Sequence, residues 1–360
     1  MILIDFIKKE NDWRTKLTKD PYSLIITDDP PYTLFRYNQK ESDFFNPLVL
    51  MCRGIILKNA DTDPTIVCWP FNKFFNYGEK FCTEFDWNSC LITEKIDGSL
   101  IKVWFDEGEW HISTNHVINA FKANVSFGLT FGDLFLSAIK ELGGDSFFQN
   151  LNKDYTYMFE LVSPLSRVVV PYKETKIYLI GIRNNRTGEE ISIFNEDVSF
   201  PNKPKVYDLN FDTVFKTAEQ LPYYEEGYVA VDKYFRRIKI KSPLYLIAHH
   251  FKNNGVISEQ RILDMIKSNE SSEFLSYFPE YTSFFETIHR RYQKTLESIH
   301  LYIQKSNEIK KSVSNRKEFA SLIIKSFPPR FQKYAFAVYD EKDDTIRKFI
   351  ESLKVEDLLE

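Results

Sequence analysis

Apolar and polar positions follow two different rhythms along this chain. From about Pro31 to Ile240, short apolar stretches are broken by turns. "LIKVWF" (100–105) alternates, "DEGE" turns and "WHIST" (110–114) returns, which predicts a β-hairpin. "YTYMFELV" (155–162), "KIYLIGIR" (176–183), "GYVAV" (227–231) and "RRIKIK" (236–241) predict further strands, and "NNRTGE" (184–189) a hairpin turn with a charged tip. The stretch 125–142 reads as helical towards its end. After about Tyr245 the rhythm changes. Phe285, Ile288, Tyr292, Leu296, Ile299 and Ile303 recur at steps of three and four, the mark of an amphipathic helix. Segments 316–327 and 344–353 read as helices, with Pro328-Pro329 as a break between them. The expected organisation is α+β: antiparallel sheets in residues 1–245, then an all-helical domain in 246–360.

Composition adds limits. A chain of 360 residues with 43% apolar content can bury about two domain cores. The 32 Phe and 20 Tyr are core material first and base-stacking surface second. A net charge of −4 excludes a general nucleic-acid coat, so any phosphate contact must come from local basic clusters. Cys52, Cys68, Cys82 and Cys90 show no CxxC spacing, which argues against a disulfide framework or zinc site. No signal peptide and no apolar run of roughly 20 residues is visible. The expectation is a soluble protein of a reducing, cytoplasmic compartment, monomeric by default and without a membrane partner.

The chemistry starts at "TEKIDGSL" (93–100). Lys95-Ile-Asp97-Gly98 matches KxDG, a pattern that roughly one unrelated chain in ten of this length holds by chance. Alone it is better read as a β-turn with a solvated lysine. Four other segments change the odds. "MFELVSP" puts Glu160 in a strand, "EEGYVAV" puts Glu226 and Gly227 just before one, and "RIKIK" puts Lys239 and Lys241 on one strand face. Upstream, "CRGIIL" offers Arg53, "FNKFFN" offers Lys73 and "FRYN" offers Tyr37. Each has an ordinary reading, such as edge-protecting lysines or a solvated glutamate. Their joint order is harder to explain that way. There is no Walker A loop and no HExxH or HxH pattern; His249 and His250 are expected to cap or pack the start of the tail helix.

This order resembles the covalent nucleotidyltransferases, with an ATP-grasp-like ligase domain, and more narrowly the bacteriophage RNA ligase 1 family. The echoes are "CRGIIL", "FNKFFN", "EKIDGSL", "FELVSPLSRVVVPY", "IRNNRTGE", "EEGYVAV" and "IKIKSPLY", over roughly residues 35–245. The resemblance implies that Lys95 takes AMP from ATP. It also implies that Arg53, Lys73 and Tyr37 hold the triphosphate tail and that Glu160, Glu226 and Gly227 belong to motifs III and IV. Lys239 and Lys241 would contact the α-phosphate. Magnesium or manganese is expected, with Asp97, Glu160 and Glu226 as ligands directly or through water. The implied substrate is RNA with 5′-phosphate and 3′-hydroxyl ends, such as a nicked tRNA, in RNA repair, within a host cell if the origin is a phage.

One departure falls after motif I, where a K-x-K-G segment is expected and "HISTNHV" stands, with Ser113, Thr114 and Asn115. The missing lysine's role would fall to a small polar group or move to Lys102 or Lys122. Physical chemistry supports a cationic, metal-assisted site: a free lysine is neutral in only ~0.1% of molecules near neutral pH, and nearby cations favour the neutral nucleophile. Gly98 is expected to let the backbone approach phosphate or ribose. Glu270 and Glu273 are second-metal candidates or helix-start acids. The tail's lysines and arginines, including Lys317, Lys325 and Arg330, are an RNA face or a solvated helix surface. Rival readings are a DNA ligase or capping guanylyltransferase, both expected to carry a β-barrel after motif V, and a non-catalytic RNA-binding protein with the same fold.

Overall fold

The computed structural model describes all residues except 1, 83, 126, 251–257, 278 and 360, and the side chains of 250, 277 and 280. Its contacts divide the chain into two units, Met1–Gly255 and Val256–Glu360. The first is mixed α+β and the second is helical.

Three sheets build the first unit. The first is an antiparallel run of Leu24–Asp29, Tyr32–Tyr37, Arg53–Lys58 and Thr65–Cys68. The second has the order Glu190–Ile191, Lys176–Asn184, Tyr155–Val162, Ser99–Asp106, Glu109–Thr114. The third has the order Val206–Tyr207, Leu91–Glu94, Gly227–Val231, Arg237–Lys241, Phe75–Asn76. Among the described residues one pairing, Arg237–Lys241 with Phe75–Asn76, is parallel; the others are antiparallel. The hairpin read at 100–114 is present. Its two-residue turn, Glu107-Gly108, has both φ positive (+48° and +87°), the geometry that matches strand twist. The 184–189 turn likewise joins Arg183 to Glu190.

Alternation along the strands decides what faces what. In Tyr155–Val162, residues Tyr157, Phe159 and Leu161 point to a core shared with Ile101, Val103, Ile177 and Leu179. The helix Phe131–Ile139 covers that face with Leu134, Phe135, Ala138 and Ile139. Glu160 lies between Phe159 and Leu161 and therefore points to the opposite face. The third sheet repeats the arrangement. Ile92, Tyr228, Ala230, Ile238 and Ile240 pack on Val214 and Ala218 of the helix Phe211–Glu219. Thr93, Lys95, Val229, Lys239 and Lys241 are thereby left for the other side. The second and third sheets are each backed by a helix and turn polar residues of the opposite face to one shared cavity, to which the first sheet adds Arg53.

Two short helices, Ile2–Lys9 and Trp13–Leu17, precede the sheets and were not expected. Leu3, Ile7, Trp13 and Leu17 bury against Leu24, Phe35 and Leu48 of the first sheet's core. At eight and five residues they are too brief for periodicity to declare. In the second unit the stripe read from Phe285 to Ile303 lies on one helix, Thr282–Ser312. Arg316–Ser326 and Asp343–Glu351 follow as expected. The proline break also opens a helix, Pro329–Tyr339, because proline at a first helical position loses no hydrogen bond. Its Phe331 and Tyr334 pack with Ile299 and Leu353. Glu273 sits in the first turn of Ser271–Tyr277, the place of a helix-start acid.

Candidate active site

Three neighbouring strands set Lys95, Gly227 and Lys241 side by side. Tyr228 pairs with Glu94 and Gly227 with Lys241, and the next rung is the Lys95 N–H donating to the Gly227 carbonyl at 2.9 Å. Only glycine fits in the middle. Gly227 has φ +133°, and a Cβ there would lie 2.1 Å from the Ile240 carbonyl oxygen. The residue before it, Glu226, is 5% exposed and turns its carboxylate to both lysines. Lys95 Nζ donates to Oε2 at 2.6 Å, and Lys241 Nζ stands 3.6 Å from Oε1. Lys95 keeps 18% of its side chain exposed, so the amine is paired yet reachable.

The cavity beside this row has a volume of about 520 Å³. Of the expected residues, Arg53, Lys95, Gly98, Glu160, Lys239 and Lys241 line it. The wall is built on aromatic rings. The Arg53 guanidinium lies 4.9 Å from the Phe71 ring and 5.0 Å from Phe74, and Lys239 Nζ lies 5.2 Å from Phe74. Burial pulls the Arg53 pKa below its ordinary value against the opposing pull of Tyr37 and Glu160, and Arg53 Nη1 is buried with no hydrogen-bond partner among the described residues. A buried donor left unmatched costs about 1–3 kcal/mol, which an anion in the cavity would recover. Asn115 Oδ1 is buried and unpartnered in the same wall. Glu160 faces it with a pKa pushed up to about 7, by burial first and then by Glu226 and Asp97, against Lys95 and Arg53.

Other expected residues are placed differently. Asp97, 5% exposed, is committed to the fold: Oδ2 accepts the N–H groups of Val169 (2.9 Å) and Val170 (2.8 Å), and Oδ1 accepts the Tyr245 hydroxyl at 2.8 Å. These bonds tie the Lys95 loop to a second loop and to the helix Pro243–His250. That helix also carries His249, stacked on Tyr245 at 6.0 Å. Among the described residues no three His, Cys, Asp or Glu side chains gather into a metal site. The set Asp97, Glu160 and Glu226 is therefore not assembled as a cage; Glu160 is the one of the three lining the cavity. Gly98 lines it too, but a Cβ there would sit 2.4 Å from the Leu161 carbonyl oxygen. Its bareness admits the neighbouring strand.

Lys73 turns away from the cavity. It reaches the Tyr37 hydroxyl at 3.4 Å and Gln39 at 3.1 Å, and its ammonium lies 4.5 Å from the Tyr37 ring. It lines a separate 210 Å³ cavity with Arg183, Glu190 and Arg237. Lys122 ion-pairs with Asp29 at 2.7 Å on the surface. Lys102 is fully buried, donates to the Gly54 carbonyl, and has its pKa pushed down to about 8 by burial. Neither lysine lines the main cavity; Asn115 does. Sequence reasoning also missed Arg237, Phe71 and Phe74 in the lining. Arg237 could have been found, because it precedes Lys239 by two on the same alternating strand.

Residues 51–245 match the family model described as RNA ligase. The chain is 32% identical over 272 residues to a putative bifunctional polynucleotide kinase/RNA ligase of Autographa californica nuclear polyhedrosis virus, covering 69% of this chain and 38% of that one. It is 29% identical over 290 residues to an RNA ligase of Rhodothermus phage RM378, covering 63% of this chain and 65% of that one. The chain thus spans less than two thirds of either relative. An archaeal ATP-dependent RNA ligase structure aligns over 96% of this chain and 98% of that one, at 12% identity and a TM-score of 0.47.

Glu160 yields a pH test. A carboxyl whose folded-state pKa is raised from 4.5 to about 7 holds its proton more tightly when folded. Its favourable contribution is complete below about pH 4.5 and is lost as pH rises through about 7. Glu160→Gln stays neutral throughout. Urea unfolding of the ligand-free protein should show the variant gaining about 2–3 kcal/mol on wild type between pH 5 and 8. Equal pH dependence in both proteins would contradict the assignment.

Proposed function

The chain belongs to the RNA ligase family, and on that premise we propose that it is an ATP-dependent enzyme joining 5′-phosphate and 3′-hydroxyl RNA ends in RNA repair. The observation that supports this most directly is the Lys95–Glu226–Lys241 cluster opening on a cavity with an unpartnered arginine nitrogen in its wall. A lysine nucleophile, a carboxylate to take its proton and cations for phosphate are the parts that covalent nucleotidyl transfer requires.

In the first step Lys95 Nζ forms a bond to the α-phosphorus of ATP. The bond from that phosphorus to the bridging oxygen breaks, and its electron pair leaves with pyrophosphate. From ammonium to phosphoramidate the nitrogen sheds two protons, one to the Glu226 carboxylate 2.6 Å away and one to solvent. Lys241 and Lys239 balance the charge on the transferred group, and Arg53 receives the phosphate tail. In the second step an oxygen of the RNA 5′-phosphate displaces Lys95, giving an RNA adenylate. In the third a 3′-hydroxyl attacks that phosphate, AMP leaves, and its proton passes to solvent. Magnesium or manganese bound with the nucleotide would neutralise charge developing on the phosphates; of the three carboxylates expected to hold it, Glu160 is the one that lines the cavity.

The helical region acts, on this reading, as the RNA-specificity domain following an adenylylation domain. Lys317, Lys325 and Arg330 are exposed there and suited to phosphate contact. Nicked tRNA is a fitting substrate class for such a surface.

Lys95→Ala should abolish both covalent AMP uptake and joining of 5′-phosphate RNA while the protein still folds, at a lowered melting temperature, because Lys241 remains paired with Glu226. Persistent AMP uptake by that variant would refute the nucleophile; uptake of GMP from GTP by wild type would favour capping chemistry. Replacing Lys317, Lys325 and Arg330 with Gln should weaken joining of a nicked, structured RNA, and the deficit should shrink at higher salt. Lysyl-AMP formation should be unaffected. Unchanged joining at low salt would remove the helical face from substrate binding.

A further inference from the structure

Arg237 occupies a place that the three-step reading leaves without a residue. It precedes Lys239 and Lys241 by two and four positions on the strand Arg237–Lys241 and lines the same cavity. Four residues of strand put it roughly 13 Å along from Lys241, at the end of the cavity away from Lys95. Its Nη2 donates to Glu190 Oε2 at 2.6 Å, and Glu190 Oε1 accepts Arg183 Nη2 at 2.5 Å. The three side chains are 8%, 5% and 9% exposed. One carboxylate between two guanidiniums leaves a single net positive charge in a buried triad. Arg53 stands beside it: the Arg237 and Arg53 guanidiniums lie 4.7 and 4.9 Å from the same Phe71 ring, and Arg237 depresses the Arg53 pKa. Two like charges share one ring, and one of them keeps a buried nitrogen without a partner. Such an arrangement is costly unless an anion joins it.

Displacement at phosphorus runs in line. In the first step Lys95 enters opposite the departing pyrophosphate. In the second, Lys95 is the leaving group. The RNA 5′-phosphate oxygen forms its bond to the AMP phosphorus, the bond from phosphorus to Nζ breaks, and Nζ recovers that electron pair and a proton. The entering oxygen must come from the side opposite Lys95, which is the side pyrophosphate vacated. One anion site facing Lys95 is therefore needed twice.

We propose that Arg237, oriented by Glu190 and Arg183 and acting beside Arg53, is this site, binding first the leaving pyrophosphate and then the 5′-phosphate of the RNA. The proposal rests on the adenylylation reading above. Arg237→Ala leaves Glu190 its pair with Arg183, so the fold should survive, and Arg237→Lys restores the charge without the planar fork.

The test uses the full chain in three assays. They follow lysyl-AMP formation from ATP, AMP transfer from preformed lysyl-AMP to 5′-phosphate RNA in a single turnover, and sealing of pre-adenylylated RNA. Arg237→Ala should slow the first two about 10- to 100-fold, with partial recovery in Arg237→Lys, and slow the third much less, because the 5′-phosphate then carries one charge fewer and is held through the attached AMP. A loss confined to the first assay, or no loss at all, would overturn the dual role. An equal loss in all three would show a structural residue instead. Absence of lysyl-AMP in the wild type would overturn the function reading beneath it, which the wild-type lane reports separately.

Discussion

Glu226 faces two lysines at once, and the glycine beside it is what lets them stand there. The Lys95 amine at 2.6 Å and the Lys241 ammonium at 3.6 Å share one buried carboxylate. Gly227 gives its carbonyl to the Lys95 backbone and leaves room for the Ile240 carbonyl on its other side. Buried charge tolerates this only with partners in place, since removing one side of a buried pair typically costs about 3–5 kcal/mol. Sheet register and charge pairing are therefore one constraint. A slip of one residue in the Gly227–Val231 strand would separate Lys95, Glu226 and Lys241 together.

The same period of two explains why the cavity exists. The second and third sheets each bury one face under a helix, and that obligation pushes Glu160, Lys239 and Lys241 to the opposite side. Cations gather there because Phe71 and Phe74 give them surfaces to lie against. The outcome is a site with positive charge on its wall, a Glu160 carboxyl whose pKa burial raises to about 7, and a buried arginine nitrogen still open to an anion.

Much of this was legible in the sequence, and the misses have physical causes. Strands 155–162 and 227–231 were visible because alternation and β-branched content mark them over several residues. Glu160 and the lysine pair followed from knowing which neighbours were apolar. Asp97 could not be read correctly from its motif, because its partners lie at Val169, Val170 and Tyr245, far away in sequence. Gly98 was assigned its bareness for a ligand, whereas the constraint is the Leu161 carbonyl in the next strand. "FNKFFN" was read for its lysine, but the structure sends Lys73 to Tyr37 and uses the phenylalanines as the cavity wall. In each case the deciding contact is long-range, and local pattern carries no record of it.

The account centres on one amine. Incubating the full chain with ATP and magnesium, then mapping the modified peptide by mass spectrometry under conditions that spare the acid-labile phosphorus–nitrogen bond, tests it most directly. The account predicts a single AMP adduct on Lys95. An adduct on another lysine, Lys102 included, or none at all in protein shown to be folded, would contradict it.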